Sequence, residues 1–236
     1  MKNNLLLGVW LLLLVAGCGK ANEAAVRRPA DGGLIFVTTL GAPPYSYFDE
    51  KKQDYAGTDV EIVRAAAKKL GLRVTVRQKA FQEMIPAVRS GAADCAGNGI
   101  TITPARARDV DFSIPYASAG SAFLYRAGAK PVTMRRARDL RVGTMMASTC
   151  HFYLCNHNID PYCYNDYKDA VAEFDKGNLD AVFYDLDPVR EKVKASNGAY
   201  AMTPLANREH YGIVVRKDFP EFLLAVNEVI AERRAK

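Results

Sequence analysis

The chain of 236 residues carries 32 Lys and Arg against 26 Asp and Glu, a formal charge of +6, with 49% hydrophobic residues. The cations are scattered among nearly as many acids and no basic run interleaves with aromatics, so nucleic acid is excluded as the expected partner. No internal repeat or low-complexity tract interrupts the sequence, and its length suits one large domain or two small lobes.

The first element is an apolar run from Leu5 to Ala16 behind one cation, Lys2, which reads as a secretory signal over residues 1–17. It is too short to span a bilayer as a mature helix. Leu14-Val15-Ala16-Gly17-Cys18 resembles the bacterial lipobox, so Cys18 is the expected lipidation site and residues 18–33, small and polar, the tether. Acyl chains gain about 0.8 kcal/mol per buried methylene, enough to tether the protein to a membrane without spanning it. The expected location is the periplasm or cell surface.

Leu34 to Thr38 reads as a buried strand, followed by the Gly/Pro-broken loop GAPPYSYFDE. Thr58-Asp59-Val60-Glu61 matches a capping box at the head of an amphipathic helix that ends at Gly71. Leu72, Val74 and Val76 alternate as a strand; Phe81, Met84, Ile85 and Val88 form a helical face; Ala93 to Ile100 reads as a third strand. Past Tyr116 the pattern restarts, with strands at Ser121–Tyr125 and Leu140–Met145, a helix beginning at Ser148 and an amphipathic segment from Tyr167 to Phe174. Strands at Leu179–Tyr184 and His210–Val215 follow. Strands alternating with helices predict α/β architecture with largely parallel sheets in two series. Ligands in such sheets lie where strands run into helices.

Cys95, Cys150, Cys155 and Cys163 would meet oxidising conditions in an exported chain. Three of them lie within fourteen residues, so a local disulfide is expected, with Cys155 to Cys163 preferred and Cys150 the other candidate. Cys95, in an apolar stretch, reads as a buried thiol. His151 and His157 lie among these cysteines, but the spacing matches no zinc pattern, so neither metal nor other cofactor is expected.

Three strand-to-helix junctions carry chemistry. After Ile100, Thr103 is a good N-cap, Pro104 a good first helical residue, and Arg106 a cation where a helix start asks for none. Free N–H groups and a guanidinium fork together suit a carboxylate; a surface Arg–Asp pair is the plainer alternative. Ser148 and Thr149 offer hydroxyls at the second junction, although most helices begin this way. Asp185, directly after an apolar strand, suits an ammonium or else caps a helix through Pro188. An Arg, a helix start and an Asp together match the two charges of an α-amino acid.

GAPPYSYF, AGTDVEI, FQEMIPAVRSGAADC, GITITPARARDVDFSIPY, LDAVFYD and HYGIVVRKD run in this order over about 180 residues. They resemble the extracellular solute-binding proteins of the polar amino-acid class that feed ABC importers. The resemblance implies a two-lobed periplasmic-binding-protein fold of type II, each lobe a mostly parallel sheet flanked by helices around an interlobe cleft. Lobe 1 would hold residues 34–118 plus 209–236, and lobe 2 residues 119–208. It also implies that Arg106, Thr101 and Thr149 grip a ligand carboxylate and Asp185 the ammonium, that Gly99 offers a backbone carbonyl and that Phe81 packs on the side chain, with Ser148 nearby and Tyr45 and Tyr47 at the mouth. A monomer delivering a small amino acid or related carboxylate to an ABC permease follows, with no catalysis.

This chain departs from the family pattern at Thr39 and Ala42, where relatives binding basic amino acids carry an Asp and an aromatic, at the Met145-Met146 pair and Cys/His loop, and at its short end after the helix Glu221–Glu232. A polar or small neutral ligand is therefore expected. Two alternatives stand beside this reading: a periplasmic dehydratase for prephenate-like acids on the same fold, with Glu83 or a histidine as general acid, and a ligand-sensing surface protein.

Overall fold

The computed structural model describes residues 32–39, 43–205 and 207–235. The expected signal segment, Cys18, nearly all of the tether and Ala42 lie outside the described residues. Among the described residues no helix is long and apolar enough to cross a membrane.

The first series runs β1 (Gly33–Thr38), a hairpin of β2 (Tyr47–Asp49) and β3 (Asp54–Ala56), α1 (Thr58–Lys69), β4 (Arg73–Gln78), α2 (Phe81–Arg89), β5 (Cys95–Ala96), α3 (Pro104–Ala107) and β6 (Asp111–Phe112). After β7 (Ala117–Ala119) come β8 (Ser121–Arg126), α4 (Met134–Ala137), β9 (Val142–Met145), α5 (Thr149–Asn156), β10 (Tyr162–Tyr164), α6 (Tyr167–Asp175), β11 (Ala181–Asp185), α7 (Leu186–Ala195) and β12 (Tyr200–Pro204). The chain returns through β13 (Glu209–Tyr211) to β14 (Val214–Val215) and α8 (Pro220–Arg234).

One five-stranded sheet is ordered β4-β1-β5-β14-β6 and the other β10-β9-β11-β8-β12. Both are mixed: β1 pairs in parallel with β4 and β5, and β9 with β10 and β11, while β14 and β8 make antiparallel pairs. The expected largely parallel sheets are thus corrected to half-parallel ones, because in each one inner strand, β14 in the first and β8 in the second, runs against its neighbours. Apolar alternation does not reveal strand direction. Each sheet has its own core, Leu34, Phe36, Val63, Phe222 and Val226 in one lobe, and Phe123, Leu154, Phe174 and Phe183 in the other. β7 and β13 form a separate antiparallel pair, Tyr211 opposite Ala117 and Glu209 opposite Ala119. This ribbon carries the chain out to the second lobe and back.

Three local expectations are corrected. The strand over His210–Val215 is two strands, broken where Gly212 lies so close to Ile102 that a Cβ would sit 3.0 Å from its Cδ1. The strand over Ala93–Ile100 is confined to Cys95–Ala96, since Gly99 turns the backbone at φ +62. The capping box at Thr58 is absent. Gly57 caps α1, the N–H groups of Thr58 and Asp59 donate to the Pro44 and Tyr45 carbonyls, and the buried Asp59 carboxylate accepts the Gly99 N–H at 3.0 Å.

The expected disulfide is corrected too. All four cysteines among the described residues are free thiols. Cys150 and Cys155 lie five residues apart on α5 and face different ways, one buried and one exposed. Cys163 on β10 turns its sulfur toward the Pro161 carbonyl at 3.6 Å.

Candidate functional site

Arg106 enters the cleft from α3. The Thr103 hydroxyl accepts the Arg106 N–H at 3.2 Å and Pro104 starts the turn. A four-residue helix has little macrodipole, so the expected helix-start anion site does not form here. Two carbonyls hold the guanidinium instead. Nη1 donates to Thr101 O at 2.9 Å and Nη2 to Ala147 O at 3.2 Å, the second contact crossing to the other lobe. The Phe81 ring lies 5.5 Å from the guanidinium carbon, a cation–π contact. Burial lowers the Arg106 pKa, and the charges of Glu209 and Asp185 oppose that shift.

Ala147 presents its carbonyl from the left-handed region, at φ +59, and its N–H donates to His151 Nδ1 at 3.3 Å. Next to it, Ser148 caps α5. Its hydroxyl donates to Met145 O at 2.7 Å and accepts the His151 N–H at 3.1 Å. With its proton given to the Met145 carbonyl, Ser148 has none to donate to a ligand.

Thr101 follows the β5 loop in the first lobe and Thr149 opens α5 in the second, and their hydroxyl oxygens lie 3.4 Å apart. Both donate to one oxygen of Glu209, Thr101 at 2.7 Å and Thr149 at 2.9 Å. Sequence reasoning missed Glu209. The one signal available was a carboxylate just ahead of an apolar strand, the same signal that singled out Asp185 at the other end of one.

Asp185 ends β11 and makes no cap to α7. Its Oδ1 accepts from the Cys150 thiol at 3.6 Å. Burial, then the neighbouring Glu209 charge, pushes its pKa up to about 7, against the opposing influence of the Tyr211 hydroxyl, the Cys150 thiol and Arg106. Asp185 borders a small cavity of about 20 Å³ shared by both lobes, with Thr39, Tyr45 and Asn98 on one side and Met145, Asp166, Tyr167 and Tyr184 on the other. Tyr167 and Tyr184 stack at 4.4 Å, and the buried Tyr167 hydroxyl has no hydrogen-bond partner. Across this cavity Tyr45 donates to Asp187 at 2.8 Å and Thr39 to Asp166 at 3.3 Å. Asp166, supplied by the second lobe, thus puts a carboxylate where Thr39 had left the expected acid missing.

Gly99 sits over Tyr45, where a Cβ would approach the ring to 3.2 Å, and its N–H is taken by Asp59. Tyr47 lies on the β2 hairpin and does not line the cavity. Glu83, a candidate general acid, returns its carboxylate to the Ala80 N–H at the head of α2, and His210 faces Ser118 on the ribbon. His157 Nδ1–H donates to the Tyr153 carbonyl on its own helix at 2.7 Å. Among the described residues no group of His, Cys, Asp and Glu is arranged to hold a metal ion.

Residues 34–236 match the bacterial extracellular solute-binding proteins, family 3. The chain belongs to this family. The L-cystine-binding protein TcyJ of Escherichia coli (strain K12) is 29% identical over 237 aligned positions, covering 96% of this chain and 88% of that protein. An ancestral arginine-binding protein solved with glutamine superposes with a TM-score of 0.79 at 30% identity, over 87% of this chain and 93% of that one. The ancestral amino acid-binding protein AncCDT-1, a precursor of cyclohexadienyl dehydratase, gives 0.77 at 26% identity, over 87% and 91%. The fold is the two-lobed type II periplasmic-binding fold, and this protein binds a solute, as its relatives bind amino acids.

Proposed function

We propose that this protein captures an α-amino acid between its lobes and delivers it to an ABC permease as a monomer held at the membrane through Cys18, after removal of residues 1–17. The observation that carries the reading is that a half-buried cation, Arg106, and a half-buried carboxylate, Asp185, come from opposite lobes near enough for each charge to act on the other. Arg106 with Thr101 and Thr149 would take the carboxylate, Asp185 the ammonium, and Phe81, Tyr45 and the Gly99 turn would shape the wall. Asp166 and the Tyr167–Tyr184 stack favour a side chain that offers hydrogen-bond donors or a cation. That extends the sequence-based expectation of a polar or small neutral ligand to basic ones.

The test is a thermal-shift screen of the purified protein against the twenty amino acids, prephenate and dicarboxylates. A ligand at a hundred times its dissociation constant adds about 2.7 kcal/mol of stability. A raised midpoint with polar or basic amino acids supports the reading. A shift only with prephenate, accompanied by turnover, would replace it with the dehydratase reading.

A further inference from the structure

Glu209 occupies a singular position. It lies on β13, in the ribbon joining the lobes, and its Oε2 gathers one hydroxyl from each lobe, Thr101 at 2.7 Å and Thr149 at 2.9 Å. Its other oxygen accepts from Asn207 Nδ2 at 3.4 Å, and Asn207 is fixed in turn by the Ser121 N–H and hydroxyl at 2.9 Å each. Arg106 is near enough for the Glu209 charge to oppose the lowering of its pKa.

A threonine hydroxyl has one proton. While Thr101 and Thr149 donate to Glu209, neither has a proton for a second carboxylate. Meanwhile two Arg106 donors are committed to the Thr101 and Ala147 carbonyls. The corner that the amino-acid reading gives to the ligand's carboxylate is therefore already served by a carboxylate of the chain itself. Glu209 also borders an outer groove of about 340 Å³ between α3 and α5, which leaves its side chain somewhere to go when displaced.

We propose that Glu209 is an internal stand-in for the ligand carboxylate: it latches the lobes across Thr101 and Thr149, and an arriving amino acid exchanges its own carboxylate for that of Glu209. The proposal rests on the amino-acid reading for the exchange, but the latch itself is independent of it. Two consequences follow. The lobes associate without added amino acid, and the latch weakens apparent affinity by the factor with which it favours the latched arrangement over the exchanged-out one.

The test uses small-angle X-ray scattering and calorimetry on the wild type, Glu209→Ala, Glu209→Gln and Thr149→Val, each checked for a native circular dichroism spectrum. Without amino acid, Glu209→Ala and Thr149→Val should have a larger radius of gyration than the wild type. Thr149→Val removes only the second lobe's end of the bridge and leaves the ribbon sequence intact, so it serves if the Glu209 variants fold poorly. Glu209→Ala should bind the amino acid roughly tenfold more tightly, with Glu209→Gln in between. Unchanged radii in both variants would overturn the latch, and weaker binding by Glu209→Ala would overturn the exchange. If the wild type binds no amino acid, the ligand reading fails while the scattering comparison still decides the latch.

Discussion

The two charged corners of the cleft are built on opposite plans. At the Arg106 corner the polar groups are paired within the protein: guanidinium to two carbonyls, two hydroxyls to Glu209. At the Asp185 corner a half-buried carboxyl has only neutral neighbours, the Tyr211 hydroxyl and the Cys150 thiol at 3.6 Å, with the unpartnered Tyr167 hydroxyl lining the same cavity. A paired corner is preorganised and costs little to maintain. An underpaired one raises the free energy of the protein until a cation arrives. Specific geometry for a carboxylate and latent affinity for an ammonium are thus supplied by different means.

The largest expected effect comes from breaking the paired corner. Arg106→Ala removes the donor from a buried carboxylate contact and leaves Glu209 and Asp185 facing each other without their nearest cation. Binding should weaken by at least about 2 kcal/mol, roughly thirtyfold. Titration calorimetry that finds the affinity unchanged would remove Arg106 from the site.

Breaking the underpaired corner should give the opposite balance, with weaker binding but a sturdier protein. Asp185→Asn should lose about tenfold in affinity, a single charge-assisted contact. The stability effect depends on pH. In the unfolded chain Asp185 titrates near 3.8, in the folded protein at about 7. The folded state is therefore unpenalised below pH 4. It loses up to about 1.4 kcal/mol per pH unit as pH rises from there, and the loss is complete above 7. Urea unfolding between pH 5 and 8 should show this slope in the wild type and a shallower one in Asp185→Asn. A residual slope ending near pH 6 belongs to buried Asp59, whose pKa burial raises to about 6. Identical slopes in the two proteins would mean that Asp185 is solvated.

The same shift sharpens the assignment of the ammonium. An ammonium set against Asp185 stabilises its charged form, so binding at pH 6 should release up to one proton. Calorimetric enthalpies measured in buffers of different ionisation enthalpy would then vary linearly for the wild type and stay flat for Asp185→Asn. A flat wild-type series would move the ammonium elsewhere in the cleft.

These corners differed in how much of them was legible in the sequence. The turn at Arg106 was readable because its chemistry is local: a Thr cap, a Pro, and a cation where none belongs. Asp185 was readable as a charge at the end of an apolar run. Glu209 and Asp166 were not, because each matters through what it meets across the cleft, Thr149 for one and Thr39 for the other, 60 and 127 residues away. Spacing misled where a second use of a residue won. Thr58 and Glu61 match a capping box, but the Pro44 and Tyr45 carbonyls took the helix donors first, and Asp59 turned inward to the Gly99 loop. The cysteines of the 150–163 segment are close in sequence, yet a helix points two of them apart.

The smallest effect is expected at Ala147, where it distinguishes rigidity from charge at the paired corner. Ala147 adopts φ +59, a conformation that costs an L-residue about 1–2 kcal/mol, and it spends that strain to aim its carbonyl at Arg106 from the second lobe. Ala147→Gly relieves the strain in the folded state and adds freedom to the unfolded one. The two effects oppose, so stability should change by less than about 1 kcal/mol. Arg106 keeps Thr101 O, Phe81 and the carbonyl itself, so binding should stay within about threefold of wild type. A loss as large as that of Arg106→Ala would show that the fixed turn, more than the guanidinium, creates the geometry a carboxylate requires.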